Sequence, residues 1–171
     1  TISYRYLFLS SCIDMVFADL PYGTTDCKWD QIIPFDKLWS NLHNCGKQNT
    51  AYVFTAREPF TSVLVMSNIQ KYAHKWVWNK KQSGSFHLAK LQPLQIEEDV
   101  IVFGTKVNYY PQMRTGKARY KGGQQPMTRE LSVANRANGT PQSYNDQYYP
   151  VNIIDMANLR SSDNIHPTQK P

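Results

Sequence analysis

The feature that most constrains this chain is a short apolar run, Ile13-Asp14-Met15-Val16-Phe17-Ala18, that stops abruptly at Asp19-Leu20-Pro21-Tyr22-Gly23. Its residues are strand formers and are apolar on both faces at most positions, as expected of a buried parallel strand. Residues 4–18 have the outline of a signal peptide, with Arg5 ahead of apolar residues. Asp14 interrupts that run and no small-residue cleavage site follows, so the segment reads as core strand.

Helical and strand patterns alternate beyond it. Phe35, Leu38, Trp39 and Leu42 recur at helical spacing between Pro34 and Gly46, which predicts a crossover helix over 35–45. Ala51-Tyr52-Val53-Phe54 reads as a second strand, followed by a helix from Pro59 to about Ile69 with the proline in its first turn. Strand, helix, strand, helix points to an α/β fold with a parallel sheet. Trp76-Val77-Trp78 and Val100-Ile101-Val102-Phe103 are expected to pair as later strands. Periodicity then fails over 106–150, which reads as a loop-rich insertion, and a short strand near 151–154 returns the chain to the core. The expected organisation is 1–105 as catalytic core, 106–150 as insertion and 151–171 as return to the core.

Asp19-Leu20-Pro21-Tyr22 stands where an α/β sheet puts its ligands, in the loop leaving the carboxyl end of a strand. A carboxylate, a proline and an aromatic suit a flat, hydrogen-bonding group such as the exocyclic amine of a nucleobase. That amine's lone pair is delocalised into the ring, so it is a poor nucleophile until two acceptors hold its hydrogens. The Asp19 carboxylate can be one acceptor and the Leu20 carbonyl the other, whatever the side chain at 20. Pro21 fixes φ and shapes the turn, Gly23 permits close backbone approach, and Tyr22 offers a ring for the base to stack on. A base paired inside a duplex must be flipped out to arrive there. Read from these residues alone, a strand-ending turn with an incidental Asp and a buried Tyr remains equally open.

The pattern Asp-Leu-Pro-Tyr-Gly after an apolar strand resembles motif IV of the S-adenosylmethionine-dependent DNA amino-methyltransferases. The closing segment His166-Pro167-Thr168-Gln169-Lys170-Pro171 resembles their motif X. This order is similar to the β arrangement of that family, and residues 24–39, 72–80 and 97–103 also look like its core segments. The resemblance implies an incomplete Rossmann-like methyltransferase sheet with a loop-rich target-recognition insertion. It implies S-adenosylmethionine as methyl donor, with His166, Pro167, Thr168, Gln169 and Lys170 lining the donor pocket and Asp19 also touching the donor. Without the family, His166 beside two prolines is a rigid exposed turn. The implied reaction is site-specific methylation of adenine N6 in a flipped-out base of double-stranded DNA. Cytosine N4 is the nearest alternative, and an Asp at the motif's first position leans towards adenine by analogy.

The family continues after motif X into a strand and a GxG loop for the donor. No two glycines in this sequence have GxG spacing. The chain also starts at Thr1 and stops at Pro171, so truncation before the donor motif is expected, with poor donor binding by the fragment. A catalytically inactive DNA-binding remnant is the competing reading, and RNA methylation is disfavoured only by analogy.

Net charge is +6, and its placement is informative because a polyanion needs its cations on one surface. Between 106 and 150 lie seven basic residues (Lys106, Arg114, Lys117, Arg119, Lys121, Arg129 and Arg136) against two acidic ones, Glu130 and Asp146. Tyr109, Tyr110, Tyr120, Tyr144, Tyr148 and Tyr149 interleave with them, along with amides such as Gln112 and Asn145. Cations suit phosphates and amides suit base edges, so this segment reads as the DNA-recognition region, with Arg114, Lys117, Arg119, Lys121, Arg129 and Arg136 as DNA contacts. A solvated polar loop is the plain alternative.

Other classes are excluded or weakened. No apolar run approaches the ~20 residues that span a bilayer. Cys12, Cys27 and Cys45 form an odd set without CxxC spacing, which argues against a disulfide framework or a zinc module and fits a reducing cytoplasm. Cys27, His43 and Cys45 fall short of the four spaced donors of a thiolate site, so no metal is expected. Trp76 and Trp78 share a strand face and read as core. Arg57-Glu58 lies at the ligand-binding edge of the sheet, where a helix-entry ion pair explains it equally well. A homodimer and a restriction-modification partner are both compatible with the DNA-methyltransferase reading.

Overall fold

The computed structural model describes residues 11–121 and 143–157, which divide into two compact units. One comprises 11–109 with 152–157, and the other 110–121 with 143–151.

The first unit is α/β, as expected. It runs β1 (Ile13–Asp19), α1 (Phe35–Cys45), β2 (Gly46–Ala56), α2 (Phe60–Ser67), a 3-10 turn (Ile69–Lys71), β3 (Tyr72–Asn79), a second 3-10 turn (Phe86–Leu88), β4 (Glu97–Phe103) and, after the other unit, a short final strand (Ile153–Asp155). The five strands form one sheet in which β1 is followed by β2, β4, β3 and the final strand. β1 pairs parallel with β2, and β3 pairs parallel with the final strand at Val77↔Ile153. β4 runs antiparallel to both of its neighbours.

The strand–helix–strand run gives the expected parallel relation, and β4 makes the sheet mixed, for reasons the connections explain. The β1–β2 and β2–β3 crossovers each contain a helix, as a return to the same direction requires. Residues 80–96, between β3 and β4, hold only a 3-10 turn, so β4 comes back antiparallel into the gap between β2 and β3.

Both helices cover one sheet face. Tyr52, Phe54 and Ala56 alternate along β2 towards Trp39 of α1 and Phe60 and Leu64 of α2, with Ile101 and Phe103 of β4 completing the cluster. Trp39 ties the layer together. Its ring meets Phe103 at 4.9 Å and its Nε1 donates to Ser67 Oγ on α2 at 2.9 Å. Truncating a fully buried aromatic such as Phe54 or Phe103 to Ala in a core of this kind costs about 3–5 kcal/mol. His43 lies against the same tryptophan, 5.9 Å between ring centres. Trp78 is core, as its spacing suggested, and its Nε1 donates to the Met156 carbonyl at 2.7 Å.

β1 departs from expectation in one respect. It is parallel, but it has a paired neighbour on one side only among the described residues, and Met15 and Phe17 are 59% and 60% exposed. Its apolar character shows what kind of strand it is. It does not show which neighbours cover it.

The second unit contains β5 (Arg114–Lys121) and β6 (Ser143–Tyr148), paired antiparallel with an irregularity between Thr115 and Arg119. Paired strands thus stand in a segment read as irregular. Cationic, amide and tyrosine residues follow one another along both strands, so no apolar–polar alternation marks them in the sequence.

Candidate functional site

β1 and β2 run in the same direction and end together, with Asp19 in register with Thr55. The carboxyl edge of the sheet therefore presents an exposed carboxylate beside a buried hydroxyl. Asp19 Oδ1 accepts two hydrogen bonds, from Thr55 Oγ1 at 2.5 Å and from the Tyr22 hydroxyl at 3.0 Å. Of the four residues singled out here, Asp19 and Tyr22 are in direct contact, while Leu20 and Pro21, both half-buried, make the turn between them. Leu20 and Tyr22 pack on the helix-covered core.

Tyr22 is half-buried and anchored. Its ring stacks on Phe60 of α2, 5.2 Å between centres and 22° between planes, so the first turn of that helix backs it. Burial above all pushes the phenol's pKa up, and the nearby Asp19 and Glu98 carboxylates add to this against the lowering effect of Thr55. The hydroxyl therefore stays protonated and remains a donor to Asp19 near neutral pH.

The loop that follows is held by a residue the sequence reading overlooked. Asp30 is buried, and its carboxylate accepts from the N–H groups of Gly23 (2.8 Å), Thr24 (3.0 Å) and Thr25 (2.8 Å) and from the Thr25 hydroxyl (2.8 Å). These bonds, the one from Gly23 foremost, hold the Asp30 carboxyl at about 2 although burial pulls the other way. Gly23 has φ +67°, a left-handed conformation that favours glycine, and a Cβ there would lie 3.0 Å from Ile32 Cγ1. The turn after Tyr22 thus closes on itself before α1 begins.

Four further charged side chains shape this edge. Lys80 and Glu98 form a nearly buried ion pair at 2.8 Å. Arg57 and Glu58 do not pair with each other as the helix-entry reading had it. Arg57 donates to Gln95 and Ser85, and Glu58 accepts from the Ser62 hydroxyl at 2.8 Å and from its N–H at 3.3 Å, capping the start of α2. A carboxylate beside the N-terminus of a helix is favoured by the helix dipole.

In the second unit Arg114, Lys117 and Arg119 are exposed on β5. Arg119 lies over the Tyr148 ring at 4.7 Å, a cation–π contact, and the Tyr148 hydroxyl donates to the Lys117 carbonyl at 2.6 Å. Gly116 makes room for that ring, since a Cβ there would stand 2.9 Å from Tyr148 Cε2. Arg114 donates to the Tyr149 carbonyl at 3.4 Å, and Tyr110, Tyr144 and Tyr149 are well exposed. Lys121 closes β5 opposite Ser143. Arg129, Arg136 and the segment His166, Pro167, Thr168, Gln169 and Lys170 lie outside the described residues.

Among the described residues no three His, Cys, Asp or Glu side chains cluster to hold a metal, and no helix is long and apolar enough to cross a membrane. No protein-family model and no curated protein matches the chain. Among solved structures, the crystal structure of the M1.HpyAVI–SAM complex is similar, with a TM-score of 0.48 at 13% identity. That similarity covers 94% of this chain and 62% of the other, so the chain spans less than two thirds of that structure's length.

Proposed function

We propose that this chain carries the target-base side of an S-adenosylmethionine-dependent DNA amino-methyltransferase acting on adenine N6. The supporting observation is the carboxylate of Asp19, exposed at the carboxyl end of a parallel strand and pinned by Thr55 and Tyr22, within a motif that resembles the family's catalytic one. A group so placed can accept one hydrogen of a nucleobase amine, with the Leu20 carbonyl as second acceptor. The nitrogen lone pair is then drawn out of conjugation. As the nitrogen gains its methyl group, Asp19 is placed to take the proton it sheds. Tyr22, braced by Phe60, supports the flipped base by stacking and offsets part of the cost of unstacking it from the duplex.

The donor, when bound, would supply an electrophilic methyl group from its sulfonium and leave as the neutral thioether. Asp19 is the described residue suited to it, since an exposed carboxylate matches the donor's ammonium group, and His166 to Lys170 are the further candidates. The basic, tyrosine-rich ribbon around β5 and β6 is the DNA-recognition surface in this proposal, with Arg114, Lys117 and Arg119 on phosphates.

Because the sequence has no GxG-spaced glycines, the assay supplies a donor-binding half in cis or in trans. Labelled methyl transfer to unmethylated genomic duplex DNA, followed by nucleoside analysis, is expected to yield N6-methyladenine. Label in N4-methylcytosine would reassign the base, and transfer undiminished by Asp19→Ala would remove the mechanism.

A further inference from the structure

A carboxylate can orient an amine only if its own rotamer is fixed, because turning its side-chain torsions sweeps the acceptor lobes away from the target. Tyr22 holds Asp19 from within the same turn, three residues along the chain. Thr55 holds it from outside. It sits on β2 between Phe54 and Ala56, both fully buried, and is itself only 2% exposed. β-branching restricts its χ1, so the hydroxyl direction is set by the strand. That hydroxyl meets Asp19 Oδ1 at 2.5 Å across a register that pairs the two residues directly. The same hydroxyl also lies within hydrogen-bonding reach of the Tyr22 phenol, so it meets both polar side chains of the turn.

We propose that Thr55 is a positioning residue for the methylation reaction, its hydroxyl carrying the rigidity of the buried sheet to the Asp19 carboxylate. The inference rests on the reading of Asp19 as the amine acceptor. Thr55 touches neither base nor donor in this scheme, and takes no part in bond making. Its contribution is the angle at which Asp19 meets the amine, and small misplacements of a reacting group cost about 10²-fold in rate.

The test compares Thr55→Val, Thr55→Ala and Thr55→Ser with Asp19→Ala in the methyl-transfer assay, with the donor-binding half present. Val keeps the volume and β-branching and loses the hydroxyl, so kcat is expected to fall about 30-fold while the KM for DNA stays within about twofold. Ala removes the same hydroxyl without adding a methyl and is expected to lose a similar factor, which covers the case in which Val does not fold. Ser restores the hydroxyl and is expected to return kcat to within about threefold of wild type. A merely structural role would follow side-chain volume, leaving Val active and Ser impaired, and that order overturns the proposal. Val and Ala at wild-type kcat beside an inactive Asp19→Ala would overturn it while leaving the reading of Asp19 intact. An active Asp19→Ala would overturn both.

Discussion

The edge of the sheet and the basic ribbon use polar side chains in opposite ways. At the edge, Asp19 and Asp30 are held by donors from β2 and from the loop itself, and Tyr22 leans on a buried phenylalanine. In the ribbon, Arg114, Lys117 and Arg119 project from exposed strands, and Arg119 rests on a tyrosine ring rather than on a carboxylate. Chemistry on a base amine needs groups fixed to a fraction of an ångström, and only a packed core provides that. Binding a polyanion needs charge that water has not surrendered to a partner, and an exposed ribbon provides that. In the proposed enzyme the two regions therefore divide the work, the edge setting turnover and the ribbon setting affinity.

The strongest way to break this division is at Asp19. Asp19→Ala is expected to lower kcat by about 10³-fold with DNA affinity within about twofold of wild type, read by single-turnover kinetics beside a binding isotherm. A large loss of affinity instead would move Asp19 from catalysis to docking. Tyr22→Ala is expected to cost about 10–100-fold in kcat/KM, the worth of one base stacked on an aromatic, whereas Tyr22→Phe keeps the ring and is expected to lose only about threefold. Equal losses for the two variants would transfer the role from the ring to the hydroxyl.

The ribbon is tested next. Replacing Arg114, Lys117 and Arg119 together by Ala is expected to flatten the slope of log affinity against log salt by about 2.7 for duplex DNA, with kcat unchanged at saturating DNA. An unchanged slope would return the segment to a solvated polar surface. The smallest effect concerns Asp30. Its folded-state value of about 2 lies below the ordinary carboxylate value, so the stability it contributes is present above about pH 4 and is lost as pH falls towards 2. Asp30→Asn is expected to lower Tm by roughly 4 °C at pH 7, with the gap to wild type closing on acidification through that window. A gap that widened on acidification would contradict the assigned hydrogen bonds.

Much of the edge is legible in the sequence because its signals are local. Pro34, Gly46 and the spacing of Phe35, Leu38, Trp39 and Leu42 mark α1 at its observed bounds. The abrupt stop after Ala18 places Asp19 at the end of a strand. Thr55 was not legible, because its importance comes from the Asp19↔Thr55 register, a pairing between segments separated by a whole crossover. Asp30 was missed for a related reason, since only the closed loop brings the N–H groups of Gly23, Thr24 and Thr25 to one carboxylate. The exposure of Met15 and Phe17 ran against expectation because residue type reports what a strand can bury and does not report its neighbours. In the ribbon, polar, charged and tyrosine residues follow one another along both strands, so no apolar–polar alternation announces β5 and β6.

The most direct measurement is mass spectrometry of the nucleosides from duplex DNA incubated with the chain, a donor-binding half and S-adenosylmethionine carrying a deuterated methyl group. The account predicts deuterated N6-methyladenine with the native chain and none above background with Asp19→Ala. Absence of labelled amino-methylated bases with the native chain, or equal labelling by both proteins, would contradict it.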